Sequence, residues 1–128
     1  MSAALAQNAS ITGCTRPAQT LNITVDAGQS TKLTYTDSSG NDQTTMHVCP
    51  GDTVVWTGKQ HKDLLAISFA KEGGTDTPAD DGQINTTGKH RIKKHIKQNH
   101  ARLKYPYAVT LTRNGTPIAD DPLIIIGQ

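Results

Sequence analysis

The chain has 128 residues, of which 34% are hydrophobic and 4% aromatic, and a formal net charge of +2. That length fits one domain able to bury a core without help from a metal. No run approaches the roughly 18 consecutive apolar residues that a membrane-spanning helix requires.

Residues 1–19 read as an N-terminal arm, with Pro17 as its last break, ahead of a single domain over 20–128. The start, "MSAALAQNAS", lacks the basic and apolar regions of a signal peptide, yet "ALAQ" resembles the small-residue end of a cleavage site. Two readings stay open: an initiator Met1 set just before a mature exported chain, or an ordinary disordered N-terminus. The two cysteines, Cys14 and Cys49, either form a bridge or are separate buried thiols. A bridge would tie the arm to the domain in an exported protein and close a loop worth about 3 kcal/mol in the chain-entropy account.

From residue 20 onward, short runs alternate apolar and polar residues, the period of half-buried strands. "TLNITVDA" turns Leu21, Ile23 and Val25 to one side, and Leu33 and Tyr35 follow before the turn "SSGND". Met46 and Val48 point inward in "TTMHVC", Val54 and Trp56 in "DTVVW", and Leu65, Ile67 and Phe69 in "DLLAISFA". Residues 71–88 carry turn chemistry with almost no apolar content and read as a long loop. Tyr107, Val109 and Leu111 open a hairpin that turns at Asn114–Gly115, and "PLIIIG" suits the centre of a sheet. Short strands at regular spacing argue for an all-β antiparallel sandwich.

"CPGDTVVW" resembles the strand of cupredoxins that reads Gly-Asp-Thr-Val-x-Trp, and "YPYAVTL…DPLIIIG" resembles the end of that family's domain. The resemblance covers residues 20–128. It implies a Greek-key β-sandwich of seven or eight strands.

A blue-copper centre needs two histidines and a cysteine thiolate, with a weak axial ligand. His61 falls near the family's first histidine position. The other ligands belong in the loop before the last strand, but residues 101–128 contain no Cys, His or Met. The chain therefore reads as a copper-free member of the fold, with no cofactor. The alternative is a metal-handling or electron-transfer protein with a non-standard copper site at His47, Cys49 and His61. His90, His95 and His100 recur every five residues, a spacing that brings three imidazoles together on neither a helix nor a strand. No nucleophile-elbow or phosphate-cradling motif is present, so the chain does not read as an enzyme.

Charge is the most informative feature. Residues 82–119 hold eight Lys or Arg and no Asp or Glu, whereas all eleven acids lie elsewhere with the other five of the 13 basic residues. The densest stretch, 89–104, contains Lys89, Arg91, Lys93, Lys94, Lys97, Arg102 and Lys104. Ile92, Ile96 and Leu103 recur at helical spacing, so a short helical insertion is expected here, its lysines outward and Tyr105 and Tyr107 alongside. Such a strip suits an anionic macromolecule or a protein partner. A second copy is one such partner, its acidic 72–81 loop meeting the basic segment. The expectation is a periplasmic or extracellular binding or assembly module.

Overall fold

The computed structural model describes residues 14–29, 31–70, 76–99 and 102–127, and every regular element in them is a strand. Eleven strands follow in order: β1 Thr20–Ala27, β2 Leu33–Thr36, β3 Thr45–Val48, β4 Thr53–Gly58, β5 Leu64–Ser68 and β6 Asn85–Lys89. They continue with β7 Arg91–His95, β8 Lys104–Pro106, β9 Ala108–Arg113, β10 Thr116–Asp120 and β11 Leu123–Ile126. Eleven exceed the expected seven or eight, because β6 and β7 are strands where a loop and a helix were expected and β8 lies in a different sheet from β9.

Two four-stranded sheets, β2-β1-β4-β7 and β10-β9-β5-β6, approach one another through β1 with β9, β2 with β10, and β5 with β4 and β7. A third sheet is ordered β3-β11-β8, with the apolar β11 in its centre as its sequence suggests. β1 runs parallel to β4 and β3 parallel to β11, so the sandwich is mixed and not wholly antiparallel. The result is an all-β sandwich of mixed sheets.

The alternation read in the sequence sets the core. Ile23, Val25, Leu33, Tyr35, Val54 and Trp56 from one sheet meet Leu65, Ile67, Val109 and Leu111 from the other, joined by Met46, Tyr105 and Ile124 of the third. Trp56 is fully buried; its Nε1–H donates to Tyr107 Oη at 3.3 Å, and the two rings meet edge to face at 5.9 Å. Turn chemistry closes the β9–β10 hairpin, where Asn114 and Gly115 both take positive φ (54° and 79°), as a tight type I′ turn requires. At the end of β4, a Cβ on Gly58 would sit 2.5 Å from that of Asp63, so only glycine allows the approach.

Two expectations about local structure are corrected. Residues 85–88 belong to β6 and not to a loop. β6 is an edge strand with no buried residue, and its sequence "NTTGK" carries no hydrophobic period to betray it. Residues 91–95 form a strand and not a helix. Ile92 and Ile96 lie four apart, a spacing common to one face of a strand and one face of a helix, and Lys94 occupies the inward position between them.

Within the described part of the N-terminal arm, Cys14 is bridged to Cys49 with Cα atoms 5.5 Å apart. Beside the bridge Arg16 makes two hydrogen bonds to the fully buried Asp52, at 2.9 and 2.7 Å. The N–H groups of Gln19 and Cys49 donate to the same carboxylate. Burial, the largest influence on Asp52, opposes its ionisation, but these donors outweigh it and hold the group below the usual carboxylate range. Asp63 is lowered too, chiefly by Arg113, whose Nε and Nη2 bind its two oxygens at 2.9 and 2.7 Å.

Because both folded-state pKa values are depressed, the unfolded chain takes up protons first as pH falls. The stability these groups contribute is complete above about pH 5 and declines as pH drops below about 4, the ordinary carboxylate value. Urea midpoints measured from pH 7 to pH 2.5 should therefore be flat and then fall, and Asp52→Asn should remove part of that fall. An Asp52→Asn profile parallel to the native one would show that this carboxylate does not contribute.

Candidate basic edge at strands β6 and β7

β6 is the outer strand of one sheet and β7 the outer strand of the other, so the chain passes between the sheets at one flank. The single residue between them, His90, is fixed at both ends. Its Nδ1–H donates to the Asp63 carbonyl at 2.9 Å, and its own carbonyl accepts from Gly58 N–H at 3.1 Å. Gly88, with φ of 70°, supplies the left-handed step before it.

This arrangement separates the seven cations singled out in 89–104. Lys89, Arg91 and Lys93 are exposed, and among the described residues none of them has an acidic partner. His95 is exposed on the same face as Arg91 and Lys93, its Nδ1 sharing a 2.7 Å hydrogen bond with Thr53 Oγ1. Lys94 points the other way and is only 4% exposed; Nζ donates to Asp81 at 2.7 Å and to Gln83 at 3.2 Å. Lys97 is paired with Asp76 at 2.9 Å. Arg102 lies over the Tyr105 ring, 4.8 Å from its centre, and Lys104 is exposed on β8, opposite Ile125.

Three expectations about the site change as a result. Lys94 and Lys97 do not point freely outward. Tyr105 and Tyr107 are fully buried and offer no stacking surface beside the strip. The acidic 72–81 segment meets the basic segment within one chain through Asp76 and Asp81, a pairing invisible in sequence because it spans 21 and 13 residues. Glu72 and His100 lie outside the described residues.

Asp76 also accepts from Tyr105 Oη–H at 2.7 Å. Burial is the largest influence on Asp76 and on Asp81 and opposes their ionisation. The hydrogen bonds of Tyr105 and Lys97 to the first, and of Lys94 to the second, nevertheless lower both. Desolvation, followed by the Asp76 contact, pushes the Tyr105 phenol upward.

The alternative copper set does not assemble. The sulfur of Cys49 is bonded to Cys14, His47 is an exposed residue of β3, and His61 sits in the β4–β5 turn. No group of three or more His, Cys, Asp or Glu that could hold a metal ion occurs among the described residues. Cu(II) added to the oxidised protein should give no intense thiolate-to-copper absorption band, and a strong band would contradict this account of Cys49.

Elsewhere, an open polar hollow of about 360 Å³ is lined by Gln19, Asn22, Asp37, Ser38, Gln43 and His47, among others. It shares no residue with the basic edge.

No family model and no curated protein matches the chain. Among solved structures, it is similar to a reduced Cu(I) form of an amicyanin variant at pH 4, with 16% identity and a TM-score of 0.37 over 82% of this chain and 81% of that one. An oxidised amicyanin variant is similar at 18% identity and a TM-score of 0.38, covering 81% and 80% of the two chains. A Cu(I) form of a further variant gives 16% identity and a TM-score of 0.38, covering 82% and 81%.

Proposed function

We propose that this chain is an exported, non-enzymatic binding module that takes an anionic macromolecule on the exposed side of β6 and β7. One observation carries the reading: Lys89, Arg91 and Lys93 present three charges from adjoining edge strands, with no acidic partner among the described residues. Their neighbours Lys94 and Lys97 are already neutralised by Asp81 and Asp76, so the binding charge is narrower than the whole basic stretch. The Cys14–Cys49 bridge supports an oxidising compartment.

The test is retention on heparin and binding to a labelled oligonucleotide. Arg91→Glu with Lys93→Glu should abolish binding and leave the melting temperature unchanged, because both side chains are in solvent. Lys94→Glu should instead destabilise the fold by placing a carboxylate at a buried position facing Asp81. Three contacting cations release few counterions, so affinity for the oligonucleotide should fall only about 20- to 40-fold between 50 and 200 mM salt. Engagement of all seven would cost about a thousandfold or more over the same range. Equal retention of the native and double-Glu proteins would reduce this edge to an ordinary solvated face.

A further inference from the structure

We infer that the basic edge takes an extended acidic peptide, added as a further strand alongside β7; this rests on the charge-based reading above and names its partner. The argument begins with the backbone. β4 and β7 are antiparallel, with Trp56 opposite Ile92 and Val55 opposite Lys93. Hydrogen-bonded and non-bonded pairs alternate along such a ladder. Gly58 N–H donates to the His90 carbonyl and Ile96 N–H to the Asp52 carbonyl, so the even-numbered residues of β7 turn their backbone toward β4. The odd-numbered residues turn theirs away.

At the far end of β7 that outward side is already in use. The His95 carbonyl accepts from Asp80 N–H at 2.9 Å, and Lys97 N–H donates to the Pro78 carbonyl. Between there and the start of the strand, the N–H and C=O groups of Arg91 and Lys93 face outward with no backbone partner among the described residues. Four main-chain groups therefore offer a ladder to an incoming strand, beside which residues 78–80 already form a short stretch of one.

The side chains choose the strand. Arg91 and Lys93 are spaced two residues apart, about 6.6 Å along a strand. The side chains on one face of any extended peptide repeat at that same distance, so an acid at every second position meets each cation in turn. A second copy pairing through β7 would set cations against cations, which is unfavourable across strands. Lysines on an exposed edge repel basic strands and would be desolvated without compensation by neutral ones, so an acidic strand is the kind this edge admits. Nucleic acid would gain from stacking as well as charge, but Tyr105 and Tyr107 are buried.

The experiment uses the full oxidised chain and a fluorescein-labelled peptide of alternating Glu and Thr. A second peptide has the same side chains but is N-methylated at every residue, which removes its backbone donors and keeps its charge. The first should bind and slow hydrogen exchange at the Arg91 and Lys93 amides. The second should bind at least about tenfold more weakly and leave those amides unprotected. If both bind equally without protection, strand addition is wrong while the charge-based reading survives. If heparin binds and neither peptide does, the partner is not a peptide. If heparin and both peptides fail to bind, this inference and the charge-based reading fall together.

Discussion

Trp56→Ala is expected to destabilise the chain by about 3–5 kcal/mol, a large part of what a domain of this size possesses. Trp56 is fully enclosed on the central strand β4, between β1 and β7. Truncation leaves a cavity between the sheets and removes the edge-to-face contact with Tyr107. It also leaves the Tyr107 hydroxyl, which is wholly buried and whose pKa is pushed up by that burial, without the indole N–H donor. Trp56→Phe, which keeps most of the volume and loses the donor, should cost less than the alanine change. Urea denaturation of the three proteins gives the comparison. An unchanged midpoint for Trp56→Ala would place this ring outside the core.

Replacing both Cys14 and Cys49 by serine is expected to cost about 2–5 kcal/mol, the range seen when native bridges are removed from small exported domains. The bridge spans 35 residues, and its removal frees the N-terminal segment in the unfolded chain. In the folded chain that segment is held a second time, through Arg16 and the Gln19 N–H on Asp52. The two attachments are neighbours, so their losses should not add. In a double-mutant cycle with Asp52→Asn, the coupling should exceed the roughly 0.5 kcal/mol found for independent sites. Thiol titration of the denatured, unreduced native chain should find no free thiol, and two free thiols would contradict the bridge.

The fold was legible wherever a strand buries one wholly apolar face. Alternation marked Leu21 to Val25, Met46 to Val48 and Leu65 to Phe69, and Asn114–Gly115 announced its turn. It failed on the two strands that form the candidate site. β6 buries neither face, so nothing in "NTTGK" distinguishes a strand from a loop. In β7 the inward position is filled by Lys94, and a buried cation reads in sequence as an exposed one. The basic run was visible as composition, but its division was not. That Lys94 and Lys97 are spent on Asp81 and Asp76, while Arg91 and Lys93 are left to solvent, depends on how residues 76–83 fold back across β7. Sequence separation hides that contact. The bridge between Cys14 and Cys49 was readable as one of two alternatives, and Asp52, which the arm also grips, was read only as part of the Gly-Asp-Thr-Val strand motif.

Titration of the ¹⁵N-labelled protein with a short heparin fragment at low salt, followed by amide chemical shifts, tests the central claim most directly. The largest shifts should fall on Lys89, Arg91 and Lys93 and fade at Lys94 and Lys97, whose charges are already matched inside the fold. Shifts centred on Arg102 and Lys104, spread evenly over all seven cations, or absent altogether would contradict the assignment of function to this edge.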